Sequence, residues 1–279
     1  MSEIRVRRQP VRYFVRAVAY WTPLALRTIA YGLGSCVIGP FTGGRFSRVC
    51  MRRWCVDTLK QLHVDIDVKG LEHLRRAAPA VLASNHVSSL DILILGAVLD
   101  VDYKWAAKRI LFYMPFLGWH LRIAGHVPVE RKRGNALAKL DAAFGDRLRG
   151  GSSILIFPEG TRSDDGRLKP FRSGAFVTAV NHRVPVVPIA IAGSAELLPK
   201  NEWCLDESVS KTVTVRILPA VEHDAFEGVS SAQRREHAAR ALRDAVWGLL
   251  DAELRDATRP SPHGEAESAL PAEQALRIA

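Results

Sequence analysis

From residue 63 onward the chain alternates short apolar runs with longer segments of helical periodicity. Residues 64–68 alternate apolar and polar side chains, the period of a half-exposed strand, whereas residues 80–84 and 153–157 have the apolar character of buried strands. Strands that alternate with helices form a layered α/β domain. The sequence therefore predicts a largely parallel sheet flanked by helices, in which ligands gather at the carboxyl ends of the strands.

Proline and glycine mark where the remaining elements end. Segment 108–124 should be helical in pieces because Pro115 and Gly118 interrupt it. The alternation in 212–218 indicates an edge-type strand. Segment 184–192 is strongly apolar and predicts a core strand, although its prolines indicate a wall or rim position, because proline cannot donate to a strand ladder. We expect further strands at 103–107, 127–130, 184–192 and 212–218, and helices at 45–62, 88–99, 134–148, 174–182 and 230–254.

Composition divides the 279 residues into three parts. Residues 1–62 are predicted to form a basic, amphipathic helical region of two helices that contacts a membrane. Residues 63–256 form the α/β domain, which is large enough to bury a core without disulfides. Residues 257–279, rich in Pro, Ala, Glu and Ser, are typical of a disordered tail.

The charge distribution predicts an acidic partner. The formal net charge is +10, and the first sixty residues hold eleven Lys or Arg against Glu3 and Asp57. Arg16, Pro23 and Arg27 interrupt the apolar stretch there, so no window reaches the roughly 18–20 uninterrupted apolar residues of a spanning helix. Such basic, aromatic segments lie in anionic lipid interfaces. A soluble helical hairpin packed on the domain is the alternative, and no nucleic-acid recognition module is present.

Cysteine and histidine are not arranged to bind metal. The four cysteines, Cys36, Cys50, Cys55 and Cys204, lack paired metal spacing, and reduced thiols in a cytosolic setting are expected. Apart from His86, the histidines are scattered and are interpreted as structural or surface groups. The sequence therefore predicts no bound metal.

Polar side chains follow the predicted strand at 80–84, in the stretch Ser84-Asn85-His86-Val87-Ser88-Ser89-Leu90-Asp91. Ser, Asn and Asp at this point are typical of a helix start. His86 would then end the strand and Asp91 would lie in the first helical turn, so that the chain can fold back and join imidazole to carboxylate. A carboxylate on one ring nitrogen leaves the other nitrogen free to take a proton from an alcohol.

A second polar stretch follows the strand at 153–157 and should reach the same sheet edge. It reads Phe157-Pro158-Glu159-Gly160-Thr161-Arg162. Gly160 lets backbone amides approach a ligand, and Arg162 offers a planar fork for phosphate. Glu159 would either hold Arg162 or bond a ligand hydroxyl. An ordinary turn with a solvated ion pair is the alternative for this stretch alone.

Taken in order, the motifs resemble the four-block signature of the glycerolipid acyltransferases, the family of 1-acylglycerol-3-phosphate acyltransferases. Segment 108–124 also looks like the family's stretch after the first block. Two positions depart from the pattern: Glu130 stands where many members have Asp, and Arg172 where a lysine pair is common. The four blocks are His86-x4-Asp91, Val-Pro-Val-Glu-Arg131, Phe-Pro-Glu-Gly-Thr-Arg162 and Val-Pro-Ile189.

The resemblance implies a role for each site residue. His86 would be the general base and Asp91 its orienting partner, and Arg131 would bind the acceptor's phosphate. The same carry-over gives the substrate-binding set Asn85, Lys108, Arg131, Glu159, Gly160, Thr161 and Arg162.

The resemblance also implies a reaction: transfer of a fatty acyl group from acyl-CoA or acyl carrier protein to the sn-2 hydroxyl of 1-acylglycerol-3-phosphate, giving phosphatidic acid. No cofactor is implied, since a thioester is already activated and its thiol leaves with a pKa of about 8.5. No Gly-x-Ser-x-Gly elbow occurs, so direct attack without an acyl-enzyme is expected. A lyso-ornithine lipid, another lysophospholipid or glycerol 3-phosphate are alternative acceptors. The expected location is the cytoplasmic face of the inner membrane, as a peripheral or monotopic protein.

Overall fold

The computed structural model describes residues 10–129, 136–223 and 232–257. Within these ranges seven strands form one sheet in the order β1-β7-β6-β2-β5-β3-β4, flanked by helices. The strands are β1 (Asp65–Lys69), β2 (Val81–Ser84), β3 (Tyr103–Lys108), β4 (Val127–Val129), β5 (Ser153–Ile156), β6 (Val186–Ala192) and β7 (Thr212–Ile217).

The predicted helices are present, with boundaries within three residues of those expected. The structure adds two short helices, α3 and α8, which hold too few residues to show a helical period. The helices are α1 (Pro10–Ile38), α2 (Arg45–Leu62), α3 (Leu71–Ala77), α4 (Leu90–Val98), α5 (Leu117–Ile123), α6 (Ala136–Arg149), α7 (Gly174–His182), α8 (Ser194–Leu197) and α9 (Ala232–Ala257), with 3-10 helices at Gly39–Thr42 and Arg109–Tyr113.

The sheet is mixed, with one reversed pair of strands. The five strands from β6 to β4 run parallel, whereas β7 pairs antiparallel with β6 and parallel with β1. The edge position predicted for 212–218 is wrong, because β7 lies between β1 and β6. Its alternation has another cause: Val213 and Val215 are buried in the core, while Arg216 on the other face pairs with Asp67 of β1 at 2.5 Å.

The core strand predicted at 184–192 is confirmed, since β6 is central and Pro188 is buried, whereas the rim position suggested by its prolines is wrong. The carbonyl of Pro188 accepts the N–H of Leu218, on the side of β7 and just past its end. In a strand, the N–H and C=O of one residue point to the same side. The donor that proline lacks would therefore face the end of β7, and the ladder with β2 loses no hydrogen bond.

Helices cover both faces of the sheet. On one face α2, α3 and α4 pack over the core, and α1 lies outside α2. On the other face α7 and α9 pack against β2 and β6. The first layer buries Leu59, Leu74, Leu95, Leu82 and Val187, and the second buries Phe176, Val246, Leu250, Val81 and Val186. Helix α2 belongs to the first core and α1 packs on α2, so residues 10–62 are packed against the α/β domain. The division into domains stays a prediction.

Helix α1 runs without a break through Pro23. Proline cannot donate to the carbonyl of Ala19, and Nε2 of Gln61 in α2 donates to that carbonyl instead, at 3.2 Å. The charges are also accommodated, since Arg27 donates to Gln61 and Arg16 pairs with Glu207 at 2.8 Å.

The stretch Phe14–Thr42 is long and apolar enough, by length and composition alone, to cross a membrane. It satisfies the criterion by average composition, although Arg16, Pro23 and Arg27 leave no uninterrupted apolar window of about 18–20 residues. Buried core helices and signal sequences satisfy the same criterion. Much of the apolar surface of α1 is exposed, including Phe14 at 67% and Leu26 at 62%.

The first half of α1 lies at the sheet edge formed by the carboxyl ends of the parallel strands. The reversed direction of β7 brings the loop between β6 and β7 to that edge. Three side chains of α1 hold this loop: Arg16 donates to the carbonyl of Leu205, Tyr20 donates to Glu207 at 3.0 Å, and Trp21 donates to the carbonyl of Trp203 at 3.1 Å.

Candidate active site

The imidazole of His86 lies just beyond the carboxyl end of β2, in the middle of the parallel strands. The ring of Phe157, which directly follows the neighbouring strand β5, stacks on it with centroids 4.0 Å apart and 15° between the planes. The stack fixes the plane of the imidazole. The His86 side chain is 15% exposed, so one edge of the ring is open to a ligand while the rest is enclosed.

Asp91 holds the inner nitrogen of His86. The distance between Nδ1 and Oδ2 is 2.8 Å, which confirms the predicted contact across the turn from β2 to α4. In a neutral imidazole, a carboxylate beside Nδ1 favours the tautomer with the proton on that nitrogen, which leaves the lone pair on Nε2. No residue in the described ranges hydrogen-bonds Nε2. The pair is thus arranged as a base, and the catalytic roles stay predictions.

Asp91 is fully buried and accepts hydrogen bonds from four groups. Beside the imidazole, Oδ2 accepts the backbone N–H of Val87 at 2.8 Å and of Ser88 at 2.9 Å. Oδ1 accepts the hydroxyl of Ser194 at 2.6 Å. These bonds offset the cost of removing a carboxylate from water, and they fix both oxygens in place.

Asn85, predicted to bind substrate, joins two strands through its side-chain amide. Its amide donates to the carbonyl of Ile191 at 2.9 Å and accepts the N–H of the same residue at 2.8 Å. The residue is 1% exposed. The bond pair links the end of β2 to β6 and so sets the start of the His86 turn; direct contact with substrate stays a prediction.

Glu159 also lies under the site. Oε1 accepts the backbone N–H of His86 at 2.7 Å, and Oε2 accepts that of Lys169 at 3.1 Å. Burial raises the pKa of Glu159 to about 7, although both N–H groups lower it. The prediction that Glu159 holds Arg162 is wrong, because Arg162 donates to the hydroxyl of Ser89 at 2.6 Å. Binding of an acceptor hydroxyl by Glu159 stays a prediction.

The backbone of Arg162 is held by two hydrogen bonds, and its guanidinium has room for an anionic ligand. Nζ of Lys169 and Nζ of Lys200 donate to its carbonyl at 3.1 and 3.3 Å. Both ammonium groups also pair with Asp164, and these contacts lower the pKa of that carboxyl to about 2. Among the described residues no carboxylate pairs with the Arg162 guanidinium, which leaves its charge for an anionic ligand.

Gly160 and Thr161 are exposed beside His86. Gly160 has a φ of 73°, a left-handed conformation that favours glycine. A Cβ there would lie 2.8 Å from Nε of Arg172, so the guanidinium of Arg172 packs over this backbone. The turn therefore combines accessible main chain with a second cation.

Of two further predicted cations, Lys108 lies at the same edge. Lys108 is the exposed last residue of β3. Arg131 lies outside the described residues, and β4, which leads towards it, ends at Val129. Lys108, Arg162 and Arg172 thus give this edge a positive character.

Within residues 10–129, 136–223 and 232–257, no three His, Cys, Asp or Glu side chains are placed to hold a metal ion. His120 and His126 lie side by side with ring centroids 6.0 Å apart, and burial lowers the pKa of His120 to about 4. Nδ1 of His120 bonds Ser35 at 2.9 Å, and Nδ1 of His126 accepts the N–H of Trp105 at 3.0 Å. These two histidines are structural, as predicted.

Comparison with known proteins agrees with this geometry. A family model described as Acyltransferase matches residues 65–192. A 1-acyl-sn-glycerol-3-phosphate acyltransferase of Saccharomyces cerevisiae is 30% identical over 216 residues, 74% of this chain and 71% of that protein. The beta form from Homo sapiens is 31% identical over 211 residues, 75% of this chain and 74% of that protein. This chain belongs to the glycerolipid acyltransferase family.

Other members of this acyltransferase family match over a shorter stretch. A chloroplastic 1-acyl-sn-glycerol-3-phosphate acyltransferase from Brassica napus is 40% identical over 134 residues, which is 48% of this chain and only 39% of that protein. The crystal structure of the LPA acyltransferase PlsC from Thermotoga maritima shares the fold, with a TM-score of 0.71 and 23% identity over 90% of this chain and 98% of that one.

Two residues at the candidate site, Phe157 and Ser194, make contacts that the sequence patterns do not predict. Phe157 ends the predicted strand and begins the polar stretch after it, but it has no predicted role, and Ser194 is not among the predicted site residues. A signal for Ser194 exists: Gly193-Ser194 directly follows β6, the same combination of strand and polar residue that marks His86 after β2. Stacking by Phe157 leaves no such trace, because an aromatic residue after a strand is ordinarily read as core.

Proposed function

We propose that this acyltransferase moves a fatty acyl group from an acyl thioester to the sn-2 hydroxyl of 1-acylglycerol-3-phosphate, giving phosphatidic acid. The observation that carries the proposal is the imidazole of His86, bonded to buried Asp91 at 2.8 Å and open at its other nitrogen beside a cationic loop. The names of the yeast and human relatives supply the acceptor.

In the proposed mechanism Nε2 of His86 takes the proton of the acceptor hydroxyl as its oxygen attacks the thioester carbonyl. The C–S bond then breaks, and the thiolate leaves and recovers the proton from the imidazolium. Asp91 stabilises the positive charge on the ring between these two steps. A positioned base contributes typically about 10²–10⁴-fold, and orientation of the two substrates supplies much of the rest.

The hydrogen bonds of the nearby serines favour direct attack over a route through an acyl-enzyme. The hydroxyl of Ser88 donates to the carbonyl of Leu198 at 2.8 Å and accepts the N–H of Leu90. The hydroxyl of Ser89 accepts from Arg162. Among the described residues no hydroxyl or thiol is bonded to the imidazole, as an activated nucleophile would be.

A phosphate-bearing acceptor suits the cations beyond His86. Arg162 has a guanidinium without a carboxylate partner among the described residues, and Arg172 packs over Gly160 next to it. Guanidinium groups bind phosphate in a fixed, bidentate geometry. A glycerol carrying phosphate on one carbon and a free hydroxyl on the next would place that hydroxyl near the imidazole.

A membrane location is proposed because the substrate is a lipid and the site opens beside α1. The first half of α1 has exposed apolar side chains and is hydrogen-bonded to the loop at 203–207, at the sheet edge that holds His86. We propose a monotopic or peripheral protein on the cytoplasmic face of the cell membrane, using acyl-CoA or acyl carrier protein as donor. The free thiols of Cys36, Cys50, Cys55 and Cys204 suit that compartment.

The deciding experiment is an assay of the purified protein with a panel of acceptors. 1-Acylglycerol-3-phosphate, other lysophospholipids, a lyso-ornithine lipid and glycerol 3-phosphate would each be tested with acyl-CoA and acyl carrier protein. We expect product from the first, and a loss of about 10²–10⁴-fold in kcat for His86→Ala. His73→Ala is the matched control, since that histidine is away from the site in α3, and it should retain full activity.

Two results would contradict the proposal. Preference for an acceptor without phosphate would remove the role of the cations. An acyl group found by intact-protein mass spectrometry on a serine or cysteine, after incubation with acyl-CoA alone, would replace direct attack by a covalent route.

A further inference from the structure

Ser194 begins α8, two residues after β6 ends and outside the 65–192 range matched by the family model. It is fully buried. Gly193 before it has a φ of 90°, which allows the chain to turn sharply at the end of the strand. The turn aims the Ser194 hydroxyl back at Asp91, at 2.6 Å.

The two oxygens of Asp91 differ in how they are held. Oδ2 accepts three hydrogen bonds, from Nδ1 of His86 and from the N–H groups of Val87 and Ser88. In the described ranges, Oδ1 has one partner, the hydroxyl of Ser194. Without that hydroxyl, half of a buried carboxylate has no donor, which costs free energy.

The short helix that carries Ser194 is itself fixed to the catalytic turn. Leu198, just after α8, accepts the hydroxyl of Ser88 through its carbonyl at 2.8 Å. Its N–H donates to the carbonyl of Ser194 at 3.0 Å. Both ends of α8 therefore contact the turn that carries His86, and the position of the Ser194 hydroxyl is well determined.

We propose that Ser194 is a positioning residue for acyl transfer: its hydroxyl fixes the Asp91 carboxylate so that the carboxylate holds His86 with Nε2 facing the acceptor. The role rests on the function proposed above. Ser194 does not touch the substrate, so its removal acts on the turnover step and leaves acceptor binding alone.

Ser194→Ala should lower kcat by about 10- to 100-fold, the range expected for a lost hydrogen bond to a charged group. The KM for the acceptor should stay within about twofold of the wild-type value. Ser194→Thr keeps the hydroxyl and should recover most of kcat. Ser153→Ala is the matched control: Ser153 is equally buried and accepts the N–H of Ala80 at 3.1 Å, beyond the opposite end of β2. It should lower thermal stability without lowering kcat of the folded protein.

The pH profile gives a readout that does not depend on the fraction of folded protein. A carboxylate that loses a donor binds protons more tightly and stabilises the neighbouring imidazolium more strongly. The acid limb of kcat/KM in Ser194→Ala should therefore move to higher pH, by about half a unit or more. Glu159 also titrates near His86 and Arg162 carries a charge nearby, but both are unchanged in the comparison.

Histidine-labelled protein separates this proposal from the proposed function. NMR of the His86 ring, assigned with His86→Asn, reports its tautomer and its titration even if no acceptor is turned over. A raised His86 titration in Ser194→Ala supports the positioning role, whether or not the acceptor is the one proposed. An unmoved titration, a kcat within twofold of wild type, or no recovery in a folded Ser194→Thr would overturn it.

Discussion

At the scale of single residues, two buried carboxylates meet the His86 turn in different ways. Asp91 is surrounded by four donors, whereas Glu159 has two backbone N–H groups. Two neutral donors do not offset the burial of Glu159, and its pKa rises to about 7 as a result. Glu159 connects the turn after β2 with the segment at Lys169. The free-energy cost of burying its charge therefore accompanies a structural link under the site.

The raised pKa of Glu159 predicts a pH-dependent stability. The folded protein binds the proton of this group more tightly than the unfolded chain, whose value is about 4.5. The contribution of Glu159 is therefore fully present below pH 4.5 and is lost as the pH rises through about 7. The free energy of unfolding of the wild type, minus that of Glu159→Gln, should fall across this window by at most about 3 kcal/mol.

Denaturant unfolding at pH 5, 6, 7 and 8 measures that difference. Glu196→Gln, an exposed glutamate in α8, serves as control and should show a difference that does not change with pH. A Glu159→Gln difference that stays flat or rises with pH would mean that this carboxyl is not destabilised by burial.

At the scale of elements, the placement of α1 depends on a close approach to the segment before α5. Gly32 of α1 is buried against Phe116, and a Cβ at Gly32 would lie 2.8 Å from the Cβ and 3.0 Å from the carbonyl oxygen of Phe116. Backbone atoms cannot swing aside as a flexible side chain does. The glycine therefore lets α1 pack along α5, below the site edge.

Gly32→Ala should destabilise the protein by about 1–2 kcal/mol, because the strain of overpacking exceeds the gain in helix propensity. Gly248→Ala is the opposite case: Gly248 lies inside α9 with open space around it, so alanine there should stabilise by about 0.5–1 kcal/mol. Thermal unfolding of the two variants compares them directly. A stabilised Gly32→Ala protein would show that α1 does not pack on α5 as described.

At the scale of the whole molecule, exposed apolar groups gather on the α1 side of the sheet. They lie on α1, on the loop before β7 and on the 3-10 helix after β3, while α9 covers the opposite face. Together with the basic residues of α1 and α2, they form a surface suited to anionic lipid. The apolar groups are Phe14, Val18, Trp21, Leu26, Ile29, Trp203, Ile110 and Tyr113.

This arrangement predicts which surface binds vesicles. Leu26→Asp, at a position 62% exposed on α1, should weaken binding to vesicles containing anionic phospholipid by more than about 10-fold, since burial of one leucine contributes about 1.5–3 kcal/mol. Leu249→Asp, at a position 43% exposed on α9, is the matched control and should bind like the wild type. Vesicle flotation with folded proteins measures both, and equal loss in the two variants would contradict the orientation.

Most elements could be predicted from the sequence, because their signals are local. The apolar run at 80–84 and the polar residues after it predict both β2 and the contact between His86 and Asp91. The pairing of distant strands has no such local signal. The alternation in β7 arises because its two faces are covered differently, but in the sequence the same pattern predicts an edge strand. The rim position suggested by Pro188 is wrong for the same reason. Its missing N–H faces the end of β7, where no strand residue needs that donor, and this depends on which strands are neighbours.

The sequence by itself determined the order of strands and helices along the chain, the turn that joins His86 to Asp91 and the acyltransferase resemblance, since short-range periodicity and spacing encode these. Only the tertiary structure decided that β1 and β7 run against the other strands, and that α1 is thereby latched beside the site. It alone showed that Ser194 completes the bonds of Asp91 from 103 residues away in sequence. The hydrogen-bond donors of a buried carboxylate are its neighbours in space, and tertiary packing decides which segments of the chain those neighbours come from.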